Sequence, residues 1–144
     1  MTAEGQLRQA IVDLWADDAA VRAGAAGTLT TLAFDMTDIR SAQPALTVAL
    51  VDPDPEVRRA VLAAVEIRAD LGADVGMAVP ALFTLAEDPD AEVRASAWRG
   101  LFFANRRLGD DRLRCVEPAV RAACADPDPR VRRHAGDILR SWAA

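Results

Sequence analysis

The chain repeats one seven-residue phrase at a nearly constant spacing. DPDPEVR at residues 52–58 returns as DPDAEVR at 88–94 and as DPDPRVR at 126–132, and a degraded copy, ADDAAVR, occupies residues 16–22. The valines of successive copies lie 36, 36 and 38 residues apart. A fixed period of this length is typical of stacked repeat proteins, in which each unit packs on its neighbours and the array offers an extended surface.

Each repeat predicts two helices that meet at the phrase. A proline precedes a mostly apolar stretch thirteen residues before each of the last three valines, at Pro44, Pro80 and Pro118. Proline is favoured in the first turn of a helix, and the prolines of the phrase end that helix because the residue before proline avoids helical geometry. The aspartates at the third position of the phrase are predicted to cap the second helix. They are Asp18, Asp54, Asp90 and Asp128.

The second helix is predicted to run for about 14–16 residues, since apolar or small residues recur four, seven, eight and often eleven positions after each valine. One such hairpin cannot bury its apolar face alone, whereas four stacked hairpins share a core. The sequence therefore predicts an all-α fold of about eight helices in a single domain, residues 1–144. The predicted repeats are about 4–36, 43–72, 79–110 and 117–144.

The proline in the first helix and the D-P-D-P-x-V-R turn resemble the short bacterial form of the HEAT-repeat family over nearly the whole chain. The resemblance implies a right-handed α-α superhelix, or solenoid, of four HEAT-like hairpins whose second helices line the concave face. It also implies a ladder between repeats, made by the turn aspartates and the arginines after the valines. Its members would be Asp52, Asp88, Asp126, Arg22, Arg58, Arg94 and Arg132. The first copy departs from the pattern, with Ala16 in place of the turn aspartate, as expected of a terminal cap.

The net charge of −5 is unevenly distributed. Residues 1–92 carry 6 arginines against 16 acidic residues, and residues 93–144 carry 11 arginines against 6. Such asymmetry can steer the approach of a partner. The other interpretation is that it reflects only solvated faces and the arginine ladder.

The sequence is poor in catalytic groups. The only histidine, His134, is followed by Asp137 and Ser141 on one predicted helix. Because a helix rises about 1.5 Å per residue, Ser141 would lie about 10 Å from His134, too far for a nucleophilic triad. One histidine with the dispersed Cys115 and Cys124 does not make a zinc site, and free thiols are favoured over a disulfide. We therefore expect a non-enzymatic protein with no metal and no cofactor.

No signal peptide is recognisable, and the longest uncharged runs, such as 75–86, are too short to cross a bilayer. A cytoplasmic location without membrane association is expected.

The predicted partner-binding residues lie on the second helices, away from the valine stripe, and at the start of the third connector. They are Arg59, Leu62, Glu66, Trp98, Arg99, Phe102, Arg106 and Arg133. Tryptophan and arginine together are the residue types that dominate binding energy at interfaces. Two interpretations remain open for each aromatic residue: Trp98 either faces a partner or packs between repeats, and Phe102 either faces a partner or packs under the long connector. Residues 105–114, predicted as a connector with a two-residue insertion, are either part of the binding face or a tolerated loop.

The leading hypothesis is a non-enzymatic adaptor, scaffold or regulator that binds another protein through its concave second-helix face. The partner would present an acidic or aromatic-rich segment. The first alternative, drawn from the resemblance, is a DNA-binding or DNA-repair glycosylase-like HEAT protein. Nucleic acid is disfavoured because the chain is acidic and short, whereas duplex binding requires many phosphate contacts. The second alternative is a chromophore-lyase-like or chaperone-like HEAT protein. The oligomeric state is left open.

Overall fold

The structure is a computed structural model that describes residues 1–108 and 111–143. Regular structure in these two ranges is entirely helical, which confirms the predicted all-α class. Within the predicted third connector, Gly109 and Asp110 lie outside the described residues, as does the side chain of Arg107. Two 3-10 turns, Arg40–Ala42 and Gly76–Ala78, lead into the first helices of the second and third repeats.

The described residues form nine α-helices, eight of which make four consecutive pairs. In chain order they are α1 (Ala3–Asp13), α2 (Ala19–Phe34), α3 (Gln43–Ala49), α4 (Pro55–Asp70), α5 (Val79–Leu85), α6 (Ala91–Leu108), the one-turn α7 (Asp111–Arg114), α8 (Glu117–Ala123) and α9 (Pro129–Ala143). Helix α1 packs on α2, α5 on α6, and α8 on α9, and the second helices α6 and α9 also pack together. The fold is therefore an α-helical repeat of the solenoid class.

The chain divides into two compact units, residues 1–68 and residues 69–144. Each unit contains its own hairpins and its own helix-capping and ion-pair contacts. The predicted single domain spans both units, and the handedness of the superhelix concerns the chain as a whole; both remain predictions.

The helix ends follow from prolines and aspartates, as predicted. Prolines 44, 80 and 118 occupy the first turns of α3, α5 and α8, while α4 and α9 begin at Pro55 and Pro129. All four predicted aspartate caps are present. Asp18 accepts a hydrogen bond from the Ala20 amide at 2.8 Å, and the equivalent bonds at Asp54, Asp90 and Asp128 measure 2.8–2.9 Å. These bonds satisfy amides that have no partner within the helix.

The arginine that follows each valine closes the turn before its own helix. In every copy the Nη1 atom donates to two carbonyl oxygens of that turn, for example those of Asp52 and Pro53 in the case of Arg58, at 2.9 and 3.1 Å. These carbonyls follow the C-terminal end of the first helix, where a cation is favoured by the helix dipole.

Two steps of the predicted ladder are present, one in each unit. Arg22 donates through Nε and Nη2 to Asp52 at 2.8 and 3.1 Å, and Arg94 donates in the same way to Asp126 at 3.0 and 3.1 Å. Burial acts to raise the pKa of Asp52, but the bonds from Arg22 and from a backbone amide outweigh it and hold the pKa below its usual range. At Asp126 the bond from Arg94 is the main cause of a lowered pKa.

The valine that begins the apolar stripe of each second helix is buried in three repeats and partly exposed in the first. Val57, Val93 and Val131 are at most 2% exposed, whereas Val21 is 40% exposed. The apolar face of α2 nevertheless buries Ala25, Leu29 and Leu32, as the periodicity predicted.

The prediction that residues 105–114 form a connector is wrong for most of that segment. Residues 105–108 continue α6, which therefore has 18 residues, and Asp111–Arg114 form α7. The helix continues past residue 104 because Asn105 is buried, at 3% exposure, and bonded to α9. Its Nδ2 donates to Ser141 Oγ at 3.0 Å, and its Oδ1 accepts from Trp142 Nε1 at 3.2 Å, so that the last turn of α6 is held against α9.

Candidate partner-binding surface

One face of α6 carries two phenylalanine side chains with an arginine on either side of them. Arg99, Phe102, Phe103 and Arg106 are spaced i, i+3, i+4 and i+7, which places them along one side of a helix. We call these four residues the α6 stripe. Both arginines are exposed and both phenylalanines are half-buried.

Each arginine of the α6 stripe lies over a ring. The guanidinium carbon of Arg99 is 5.5 Å from the centroid of Phe103, and that of Arg106 is 5.9 Å from the centroid of Phe102. The two rings are 5.5 Å apart and tilted by 51°. Cation–π contacts at exposed sites are worth about 0.5–1 kcal/mol each, so the four side chains hold one another in a defined arrangement.

Helix α9 adds positive charge beside the α6 stripe. Arg133 is exposed, and the adjacent His134 is half-buried. The pKa of His134 is lowered, first by burial and then by the charges of Arg133 and Arg99, with Asp137 acting in the opposite direction. The charges of Arg99 on α6 and Arg133 on α9 therefore act on one imidazole where these two helices pack.

Two of the predicted partner-binding residues, Trp98 and Leu62, are buried. Trp98 is 3% exposed and meets Phe83 of α5 edge to face, with ring centroids 5.9 Å apart and an interplanar angle of 88°. Leu62 is 1% exposed. Both lie five residues after a valine, and Ala26, at the same register, is also fully buried. The buried arc of the second helices is therefore wider than the valine stripe, and the packing interpretation of Trp98 is the correct one.

The other predicted residues lie in two places. Arg59 and Glu66 are half-buried on α4 in the unit of residues 1–68, where Arg59 forms an ion pair with Glu56 one turn earlier. Arg99, Phe102, Arg106 and Arg133 belong to α6 and α9 in the unit of residues 69–144. The structure thus assembles four of the eight predicted residues on the α6–α9 surface.

Sequence reasoning missed Phe103. It lies ten residues after Val93, one position beyond the predicted binding residue Phe102. The i+4 relation to Arg99 was the available signal, because residues four apart on a helix surface are neighbours.

The groups considered for catalysis have other partners. Ser141 Oγ donates to the carbonyl of Ile138 at 2.6 Å, and Asp137 forms an ion pair with Arg140. Within residues 1–108 and 111–143, no cluster of three or more His, Cys, Asp and Glu side chains is arranged to hold a metal ion. Both cysteines are free thiols, with Cys115 exposed and Cys124 half-buried.

Comparison with known proteins is informative about the fold alone. No family model matches the chain, and no curated protein matches it. Among solved structures, it is similar to the crystal structure of an engineered protein of the Northeast Structural Genomics Consortium, with a TM-score of 0.77 and 20% sequence identity. The alignment covers 92% of this chain and 60% of the engineered protein, so the chain spans about three-fifths of that protein's length.

None of the helices in the described part of the chain combines the length and the apolar character that crossing a membrane requires.

Proposed function

We propose that this chain is a non-enzymatic, HEAT-like interaction module of the adaptor, scaffold or regulator type. It binds an acidic segment of another protein, with or without aromatic residues, through the α6 stripe and Arg133. The observation that carries the proposal is the pair of arginine–phenylalanine contacts side by side on an accessible helix face. Arginine and aromatic side chains are enriched among the residues that contribute most to binding.

The repeat itself does not require these aromatic side chains. At the register of Phe102 the other three repeats have Thr30, Glu66 and Arg140, and at that of Phe103 they have Thr31, Ile67 and Ser141, none of them aromatic. The fold does not fix an aromatic side chain at these two positions, whereas every repeat has a valine in the first turn of its second helix. Two adjacent partly exposed phenylalanines therefore favour a role in recognition.

The stacked arginines are suited to carboxylates. A guanidinium presents donors in a planar fork that matches a carboxylate, and stacking on a ring limits its rotation before a partner arrives. Less side-chain entropy is then lost on binding. The excess of arginine over acidic residues after residue 92 would also accelerate the approach of an acidic partner.

The test is a comparison of captured partners. The wild-type chain, Phe102→Ala and Arg106→Glu are immobilised and exposed to extract of the native host, and bound proteins are identified by mass spectrometry. The control is Arg121→Glu, which reverses an exposed arginine on α8 whose ion-pair partner, Glu117, is one turn away. We expect a partner that the wild type and the control retain and both α6 variants lose.

The captured partner is then titrated against the purified chain. For Phe102→Ala the affinity should fall by about 1–2 kcal/mol or more if Phe102 is a hot spot, and Arg106→Glu should weaken binding most at low salt. Equal capture by the wild type and both α6 variants would contradict the proposal. Retention of duplex DNA at physiological salt would favour the nucleic-acid alternative instead.

A further inference from the structure

A second accessible surface lies in the unit of residues 1–68, where the C-terminal ends of α1 and α3 meet. A groove of about 450 Å³ is lined there by apolar residues that include Trp15, Ala45, Val48 and Val51, and at its polar end by the Arg22–Asp52 ion pair. We call it the Trp15 groove. Its volume falls within the range of natural binding sites, about 300–1,000 Å³.

The large side chains of the Trp15 groove are exposed. Trp15 is 62%, Val48 54% and Val51 52% exposed. Clustered apolar exposure of this kind marks an interaction surface, whereas single exposed apolar residues are ordinary.

The repeat register shows that the fold does not need these side chains. Six residues before the valine, the four repeats have Trp15, Val51, Glu87 and Ala125, and all four positions are exposed. Nine residues before it, they have Val12, Val48, Thr84 and Ala122, again all exposed. The third repeat folds with threonine and glutamate where the second has two valines. The apolar character of the Trp15 groove is therefore particular to the first half of the chain.

The polar end of the Trp15 groove is negatively charged. The guanidinium of Arg22 is already engaged by Asp52 and by two carbonyls of its own turn. Asp18 and Asp54 are near enough for their charges to raise the pKa of Arg22 further, after the larger effect of the bond from Asp52. Arg58 also lies at this end, since its Nη1 donates to the carbonyls of Asp52 and Pro53. The carboxylates of Asp18, Asp52 and Asp54 therefore outnumber the two guanidinium groups there by one.

We propose that the Trp15 groove binds a cationic amphipathic segment of another protein, with its apolar side chains against Trp15, Val48 and Val51 and flanking arginine or lysine near Asp18 and Asp54. Such a segment matches the groove in both apolar surface and charge, in the manner of amphipathic peptides that dock into apolar grooves beside charged rims. The site is distinct from the α6 stripe and has the opposite charge preference.

The probe is a fluorescent synthetic peptide of about 15 residues, long enough to favour a helix, with leucines on one face and arginines on both flanks. A second peptide has glutamate at every arginine position. Binding to the full chain is measured by fluorescence anisotropy. The emission of Trp15 gives a second readout, because burial of an exposed indole shifts its emission to shorter wavelength.

The test variant is Val48→Thr with Val51→Glu, which installs the residues that the third repeat has at these positions and should preserve the fold. The matched control is Val12→Thr, an exposed valine at the register of Val48 that does not line the groove. We expect the arginine peptide to bind at least about tenfold more tightly than the glutamate peptide, and the test variant to weaken it at least about tenfold while the control leaves it nearly unchanged.

Three outcomes would overturn the proposal. The first is no binding of the arginine peptide at about 1 mM, and the second is equal affinity for the two peptides. The third is self-association of the wild-type chain, seen by analytical ultracentrifugation, that the test variant abolishes, since a second copy would then occupy the groove. Each is independent of the capture experiment on the α6 stripe.

Discussion

Replacing Arg94 by alanine should destabilise the chain because this one side chain joins two turns. Its Nη1 donates to the carbonyls of Asp88 and Pro89 at 3.0 and 3.1 Å, while Nε and Nη2 hold Asp126. The side chains of Arg94 and Asp126 are only 17% and 15% exposed. Asp126 in turn accepts from the amide of Asp128 at 2.8 Å, so the bond from Arg94 helps to fix the turn before α9.

The magnitude follows from what each group does after the change. The two carbonyls belong to a turn whose Pro89 is exposed, so water can replace Arg94 there at small cost. The Asp126 carboxylate cannot be rehydrated so readily, and hydrogen bonds to a charged group contribute about 1.5–3 kcal/mol. We expect Arg94→Ala to lower the free energy of unfolding by about 2–4 kcal/mol. Arg94→Lys should recover part of this loss, since an ammonium keeps the charge but not the two-pronged geometry.

The assay is urea denaturation followed by tryptophan emission and by circular dichroism. The matched control is Arg121→Ala, which removes an exposed i,i+4 ion pair with Glu117 at 2.8 Å and should cost less than about 0.5 kcal/mol. Both probes are needed because a chain with two compact units need not unfold in one step. Equal midpoints for Arg94→Ala and Arg121→Ala would refute the structural role of the valine–arginine pair.

Three further outcomes are expected. Trp98→Ala should lower the free energy of unfolding by about 3–5 kcal/mol, and a small change in thermal melting would contradict its burial against Phe83. The fold lowers the pKa of His134 and so favours its neutral form; the resulting stability is present above about pH 6.5 and is lost as the pH falls below it. As the pH falls from about 7.5 to about 5.5, the free energy of unfolding should therefore decrease more for the wild type than for His134→Gln. Equal decreases in the two proteins would contradict the lowered pKa of His134. Cys115 should react with a maleimide faster than Cys124, as mass spectrometry of the partly labelled chain can show, because only Cys115 is exposed.

The sequence predicted well those helix ends that are determined by nearby residues. A proline in the first turn, an aspartate cap and a helical apolar period each act within a few residues, so the ends of α3, α4, α5, α8 and α9 were predicted closely. The pairing of Arg22 with Asp52 spans 30 residues, and it was expected because the resemblance to the HEAT family implies a ladder between repeats.

The errors arose where packing between helices decides the outcome. The periodicity of α6 places Trp98 beside the apolar stripe of that helix. Whether Trp98 is buried depends on its contact with Phe83 of α5, and no pattern within α6 reveals this contact. Residues 105–114 were predicted as a connector because they contain the two-residue insertion, and nothing in the local sequence shows that the Asn105 amide has distant partners. In the folded chain its partners are Ser141 and Trp142, 36 and 37 residues away.

The differences between repeats are therefore more informative about function than their agreement. Positions that recur, such as the valine, its arginine and the turn aspartate, are occupied by contacts that the fold needs. Exposed or half-buried positions that vary are free of that constraint, so a cluster of large apolar or aromatic side chains at such positions points to recognition. The α6 stripe and the Trp15 groove are both of this kind, one among arginines and the other among carboxylates. The two proposals together predict that each surface rejects the segment that the other accepts, because like charges brought together at an interface repel.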